Sequence, residues 1–310
     1  MGLERDERRL PSVSRVVVGI DDGAGSRAAL VFGAALAGWL RVPLLAVHAY
    51  VGGRAGPETP LLRFGDPALV ARETLDGAIE RAQVEDGVTY PITPLLVRGH
   101  GAAVLLEHAG HDGIIVVGHH RRHGRAALPE WSLPAQIAGR ASSAVAVVPA
   151  SWRPGSPLGP VCVGADLPRP GAALLEQALG MASAAQLPLE VIHAEPSRSR
   201  PDPRHSDPGR LHRALQAELD KVSAPGAQVS LVVREGGPGL VLEAASRDAA
   251  FLIVGRHAAG RRTAHRLGTV ARHVLRTAAC PVVFMDAVAD RSAAGKHGAA
   301  PTVLRTAQQC

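Results

Sequence analysis

The residues best placed to do chemistry lie in one stretch, Gly255-Arg256-His257-Ala258-Ala259-Gly260-Arg261-Arg262-Thr263-Ala264-His265-Arg266-Leu267-Gly268-Thr269. It leaves the apolar run Phe251–Val254 and enters a helical pattern. Glycines let a backbone approach a phosphate, and unpaired N–H groups at a helix start supply donors. Thr269 can cap the helix or bond a phosphate oxygen, and Arg256, His257 and Arg261 can add positive charge. The chemistry the stretch suggests is binding, with slow hydrolysis at most. Two carboxylates stand out beside it. Asp21 and Asp166 each end an apolar run, where a carboxylate serves either a ligand or a helix cap.

These groups belong to a duplicated frame. Val16-Val17-Val18-Gly19-Ile20-Asp21 recurs as Val161-Cys162-Val163-Gly164-Ala165-Asp166, and 27 residues after each Asp comes a His, His48 and His193. The offset there is 145; further on it is 137, with Gly99 answering Gly236, Gly118 answering Gly255 and Ser132 answering Thr269. One unit of about 140 residues has been repeated. Residues 1–14 read as a tail, 15–149 as the first domain, 150–159 as a linker, 160–286 as the second domain and 287–310 as a second tail.

Each unit alternates short apolar strands with helices. In the first, the strands are Val16–Ile20, Leu44–Ala49, Ile92–Val97, Ile114–Gly118 and Ala144–Val148, and the first helix is expected from about Arg27. Runs without polar alternation suit strands buried on both faces of a parallel sheet. The predicted fold is α/β: two doubly wound five-stranded parallel-sheet domains in tandem. Such sheets bind ligands beyond the C-terminal ends of the strands, at the switch point. Asp21, Asp166, Gly118 and Gly255 all fall at those ends.

Composition narrows the classes. At 310 residues and 46% hydrophobic, both units can bury a core. Aromatics at 3% argue against stacked single-stranded bases. The net charge of +6 favours anionic ligands, but it is spread over the chain and no nucleic-acid motif accompanies it. No apolar run reaches the roughly 18 residues a membrane span needs. No signal-like segment follows the charged N-terminus, and three cysteines lack metal or disulfide spacing, so a cytoplasmic location is expected. His119, His120 and His123 cluster in a basic loop without a neighbouring carboxylate or cysteine, which is weak grounds for a metal site. Cys162 and Cys280 read as inert core thiols.

The motifs resemble the universal stress protein family over nearly all of 15–149 and 160–286. Its nucleotide-binding members carry G-x2-G-x9-G-[S/T] after strand four, and the second unit reads Gly255-x2-Ala258-x9-Gly268-Thr269. Asp21 and Asp166 match the family's Asp at the end of strand one, and Cys280-Pro281-Val282-Val283 matches its strand-five entry. The resemblance implies a flavodoxin-like, adenine nucleotide alpha hydrolase-like fold and an ATP-binding regulatory protein of the stress response, with or without Mg2+. By that resemblance Asp166 would read ribose or adenine with Ile192 and His193 beside it. Gly255, Gly268 and Thr269 would hold phosphates, with Arg256, His257 and Ala258 in the same loop. It also implies that the two halves pair through their fifth strands, and it leaves open a further dimer of chains.

The first unit departs from the pattern. Arg121 stands for the second glycine and Trp131 for the third, and a Trp where backbone must touch phosphate is a steric objection. Asp21 and Ser132 are then remnants with structural roles. The alternative to a nucleotide binder is a stress-family scaffold whose degenerate loops serve only the fold. A dinucleotide fingerprint at Gly23-x-Gly25-x-x-Ala28 lacks its acidic partner after strand two. Neither a P-loop nor a G-x-S-x-G elbow is present.

Overall fold

The computed structural model describes residues 13–51, 66–119, 132–153, 158–165, 172–195, 213, 216–217, 228–256 and 267–286. In the first half the chain forms β1 (Arg15–Gly19), α1 (Ala24–Leu40), β2 (Leu44–Tyr50), α2 (Pro67–Val84), β3 (Ile92–Arg98), α3 (Gly101–Ala109), β4 (Gly113–His119), α4 (Leu133–Arg140) and β5 (Ala144–Pro149). The second half repeats it with β6 (Val161–Gly164), α5 (Ala172–Ala185), β7 (Leu189–Glu195), β8 (Val229–Glu235), α6 (Pro238–Ala245), β9 (Phe251–Gly255), α7 (Thr269–Thr277) and β10 (Val282–Met285).

All ten strands join one sheet in the order β3-β2-β1-β4-β5-β10-β9-β6-β7-β8. Within each half every pairing is parallel, and the order reverses direction between β1 and β4 and between β6 and β9. The one antiparallel pairing joins the halves: Val282 opposite Val147, Val283 opposite Ala146, Phe284 opposite Val145. Ala146 and Val283 are counterparts in the repeat, so each half meets the other with its own equivalent position. That register is the one a twofold-symmetric interface demands.

Alternation sorts the core into two layers. Val16 and Val18 pack with α1, α2 and α5 on one face, together with Ile253 and Met285. Val17 packs on the other with α3, α4, α6 and α7, together with Leu252 and Phe284. Each layer draws on both halves, so the two units share their cores across the seam. The interior strands are buried on both faces, as their unbroken apolar runs require. The edge strands differ: β3 and β8 are largely half-buried or exposed. Pro94, which lacks an N–H, sits in β3, where a missing ladder donor costs least.

The few aromatic residues are concentrated at the seam. Phe32 and Trp39 of α1 meet Phe251 of β9 and Trp152 of the connecting segment, with ring centroids 5.6–6.3 Å apart. Edge-on and stacked contacts of this kind add to the area the rings bury. Phe32 is fully buried at the centre of the cluster. Phe32→Ala is expected to cost about 3–5 kcal/mol. In urea titrations followed by far-ultraviolet circular dichroism, the transitions of both halves should shift, because the ring packs against both.

Candidate functional site

The second-half site begins at the switch between β6 and β9. Val163 lies opposite Ile253, so the chain leaves both strands on the same edge of the sheet. The last peptides are held in place: Ala165 N–H donates to the Ile192 carbonyl at 2.9 Å, and His193 Nδ1 lies 3.1 Å from the Ala165 carbonyl. A carbonyl only accepts, so Nδ1 carries the proton and the tautomer is set. His48 makes the same contact with the Ile20 carbonyl at 2.8 Å. The repeated histidines therefore clamp the last peptide before Asp21 and before Asp166. The sequence did not reveal this clamp, although the 27-residue spacing from each Asp, preserved in both units, was the available signal. Ile192 itself is buried, and its carbonyl is already used by Ala165, so its part is to fix that peptide.

From β9 the chain runs through Gly255 to Arg256, whose backbone N–H donates to Met285 at 2.9 Å. The Arg256 carbonyl accepts the Gly268 N–H at 2.8 Å, tying the start of α7 to the end of β9. Gly268 is the N-cap of α7, with φ −62° and ψ 167°, and as a glycine it brings no side-chain cap. Thr269 is therefore the first helical residue and not the cap, which corrects the plain capping role the sequence allowed. Its side chain is exposed, and the first turn of α7 carries no acidic residue. A helix N-terminus with an exposed hydroxyl at the end of a parallel strand is a place where an anion is favoured.

The structure thus brings Gly255, Arg256, Gly268 and Thr269 together, with Ile192 setting the neighbouring strand end. Asp166, His257 and Ala258 lie outside the described residues, as do His120, Arg121, His123, Trp131 and Arg261. Arg256 turns away from the solvent edge. It is 2% exposed; Nη1 donates to Asp286 at 3.1 Å and Nη2 to the Ser143 carbonyl of the first half. Burial pulls the guanidinium below its ordinary pKa, and Asp286 opposes that shift. Arginine stays charged regardless. Its charge is spent on the seam.

The first half is organised differently. Asp21 Oδ1 accepts from the Gly23 N–H at 2.8 Å and from the Ser26 hydroxyl, while Ser26 Oγ accepts the Asp21 N–H at 2.8 Å. This closed turn starts α1 at Ala24, earlier than the pattern from Arg27 suggested. Gly25 then touches Gly118 backbone to backbone: a Cβ on Gly118 would lie 2.2 Å from Gly25. Both glycines are accounted for by this close approach. Ser132 caps α4 in position, but its Oγ is buried without a hydrogen-bond partner. A cleft of about 660 Å³ opens beside the turn, lined by Asp21, Asp22, Arg27, Glu73, Thr74 and Arg81 among others. Its walls come from the β1–α1 turn, α1 and α2, so Gly118 and Ser132 do not reach it.

Among the described residues, no group of His, Cys, Asp and Glu side chains is arranged to hold a metal ion. No helix among them is long and apolar enough to cross a membrane. Cys162 and Cys280 are both buried and free. Burial, with Glu190 and Asp248 nearby, pushes the Cys162 thiol up to about 12, and burial also raises Cys280. Neither forms an appreciable thiolate near neutral pH. Both should stay unlabelled by a thiol reagent at pH 8 in the native protein, and peptide mapping should find both modified once urea unfolds it.

Two parallel α/β units, joined through their fifth strands into one sheet, define a tandem-repeat α/β protein. The sequence matches the universal stress protein family twice, over residues 12–149 and 158–285, and the chain belongs to that family. Universal stress protein Rv2624c of Mycobacterium tuberculosis (strain ATCC 25618 / H37Rv) is 32% identical over 110 residues, 34% of this chain. The match spans only 40% of that relative's length. Two crystal structures share the fold along most of the chain. A universal stress protein from Archaeoglobus fulgidus DSM 4304 aligns over 88% of this chain and 98% of its own, at 15% identity and TM-score 0.59. One described as a putative universal stress protein from Pseudomonas aeruginosa UCBPP-PA14 aligns over 89% and 94%, at 17% identity and TM-score 0.60.

Proposed function

We infer that this chain is a regulatory adenine-nucleotide-binding protein of the stress response, acting in the cytoplasm, with its site in the second half. The observation that carries the reading is the start of α7. Gly268 holds it against β9 and brings no side-chain cap of its own, and Thr269 presents an exposed hydroxyl there. A phosphate group fits those donors. Gly255 and Gly268 would give it backbone access and Thr269 a hydroxyl, while Asp166, set by the His193 clamp on the preceding peptide, would take the ribose or adenine. ATP, with Mg2+ where the phosphates need it, is the expected ligand. His257 and Ala258 would border it. Binding and release are the whole of the activity this reading assigns.

The first half, by contrast, is read as a structural partner. The Asp21 carboxylate is engaged in its own turn, and Gly118 is used in packing. That is the scaffold reading, confined to one unit. We read units 15–149 and 160–286, joined by 150–159, as one functional pair held by β5 and β10. Calorimetric titration of the purified chain with ATP and magnesium tests the assignment. Heat that disappears in Gly268→Trp and persists in Ser132→Ala supports a single site in the second half. Absence of heat at several temperatures, with no nucleotide released on denaturation, refutes it.

A further inference from the structure

Arg256 occupies an unusual position for a buried charge. Its backbone forms the base on which α7 starts: N–H to Met285, carbonyl to the Gly268 N–H. Its side chain crosses to the other half, where the Ser143 carbonyl accepts from Nη2, while Asp286 takes Nη1. Ser143 directly precedes β5, the strand that meets β10 at the seam. One residue therefore touches the N-terminus of α7 by its main chain and the first half by its side chain.

The packing around it is incomplete. Arg256 Nε and Ser143 Oγ are both buried without a hydrogen-bond partner. Its partner Asp286 has a side chain 45% exposed, so the burial falls on the guanidinium, which recovers its desolvation cost only with good geometry and full satisfaction of its remaining donors. An under-satisfied guanidinium is held by few contacts, so a small displacement of the end of β9 shifts the balance at the seam. Its counterpart in the first half is His119, a different side chain at the end of β4.

We propose that Arg256 is a positioning residue that couples the N-terminus of α7 to the seam between the halves, so that occupancy of the second-half site is read by the first half. This rests on the nucleotide reading for its ligand, but the mechanical link does not. If a ligand at α7 changes the Arg256 peptide, the guanidinium transmits that change to Ser143 and β5. By reciprocity, a partner that alters the seam changes affinity at α7 by the same factor.

Amide hydrogen exchange on the full chain tests it in two arms, comparing wild type with Arg256→Met and Arg256→Lys. Methionine roughly fills the volume without the charge, and Asp286, whose side chain is 45% exposed, stays solvated when its partner is removed, so the variant should fold. In the nucleotide-free arm, Arg256→Met should speed exchange at least about fivefold both at Gly268–Ala271 and at Ser143–Val147, leaving Arg15–Gly19 unchanged. Arg256→Lys should fall between the two. A change on one side only, or on neither, overturns the coupling. In the second arm, ATP with magnesium should slow exchange at both segments of wild type, and at Gly268–Ala271 alone in Arg256→Met. A seam response that survives in Arg256→Met, or one missing from ATP-bound wild type, also overturns it. If wild type binds no ATP, the nucleotide reading fails by itself, and the first arm decides the coupling.

Discussion

Gly118→Ala should lower the stability of the first half by about 3 kcal/mol, at the upper end of what overpacking costs. The added Cβ would lie 2.2 Å from the Gly25 carbonyl carbon and oxygen. Neither atom belongs to a flexible side chain, so the first turn of α1 must move. That helix carries Phe32 and Trp39 into the aromatic cluster at the seam, and the displacement is felt there too. Gly25→Ala is the matched control. Its Cβ meets Gly118 and His119 backbone only at 3.2 Å, a contact that a shift of a few tenths of an ångström relieves. Urea midpoints should therefore fall clearly for Gly118→Ala and much less for Gly25→Ala. Equal midpoints for the two variants would show that the α1–β4 approach is looser than described. At temperatures where Gly118→Ala remains folded, ATP affinity should stay within about twofold of wild type, since the substitution lies in the half without the site.

Gly268→Trp should abolish nucleotide binding, with at least about a hundredfold loss of affinity, or about 2.8 kcal/mol. The backbone at Gly268 has φ −62° and ψ 167°, a conformation any L-residue adopts. Its N–H bond to the Arg256 carbonyl is a main-chain contact that the substitution retains. The chain should fold. What changes is bulk at the start of α7, where the proposed phosphate contacts lie. Trp131 stands one residue before Ser132 in the first unit, so the variant also imposes on the second half the side chain that marks the first as degenerate. Equilibrium dialysis with labelled ATP reads the loss directly, and an unchanged urea midpoint separates it from unfolding. Retained affinity in a folded Gly268→Trp would remove α7 from the site.

Much of the architecture was legible from pattern alone. Unbroken Val- and Ile-rich runs mark strands buried on both faces, and their recurrence after a fixed interval marks a repeated unit. What pattern does not carry is contact between distant positions. Arg256 looked like one more cation in a basic loop, because nothing local reveals a partner 113 residues earlier in the chain. Asp21 could serve a ligand or a cap by its type and place, and Ser26 folded onto its carboxylate and its N–H shows it engaged in its own turn. Thr269 fits an N-cap by residue type, yet Gly268 takes that place because its N–H is drawn to the Arg256 carbonyl. The edge strands β3 and β8 read as buried since apolar content does not report which strand ends up outermost.

The proposed nucleotide site is single and lies at the start of α7 in the second half. Calorimetric titration of wild type with ATP and magnesium, beside Gly268→Trp and Ser132→Ala, tests it most directly. The expected result is saturable binding to one site in wild type and Ser132→Ala, and none in Gly268→Trp. Binding that Ser132→Ala removes and Gly268→Trp leaves intact would place the site in the first half and contradict the claim.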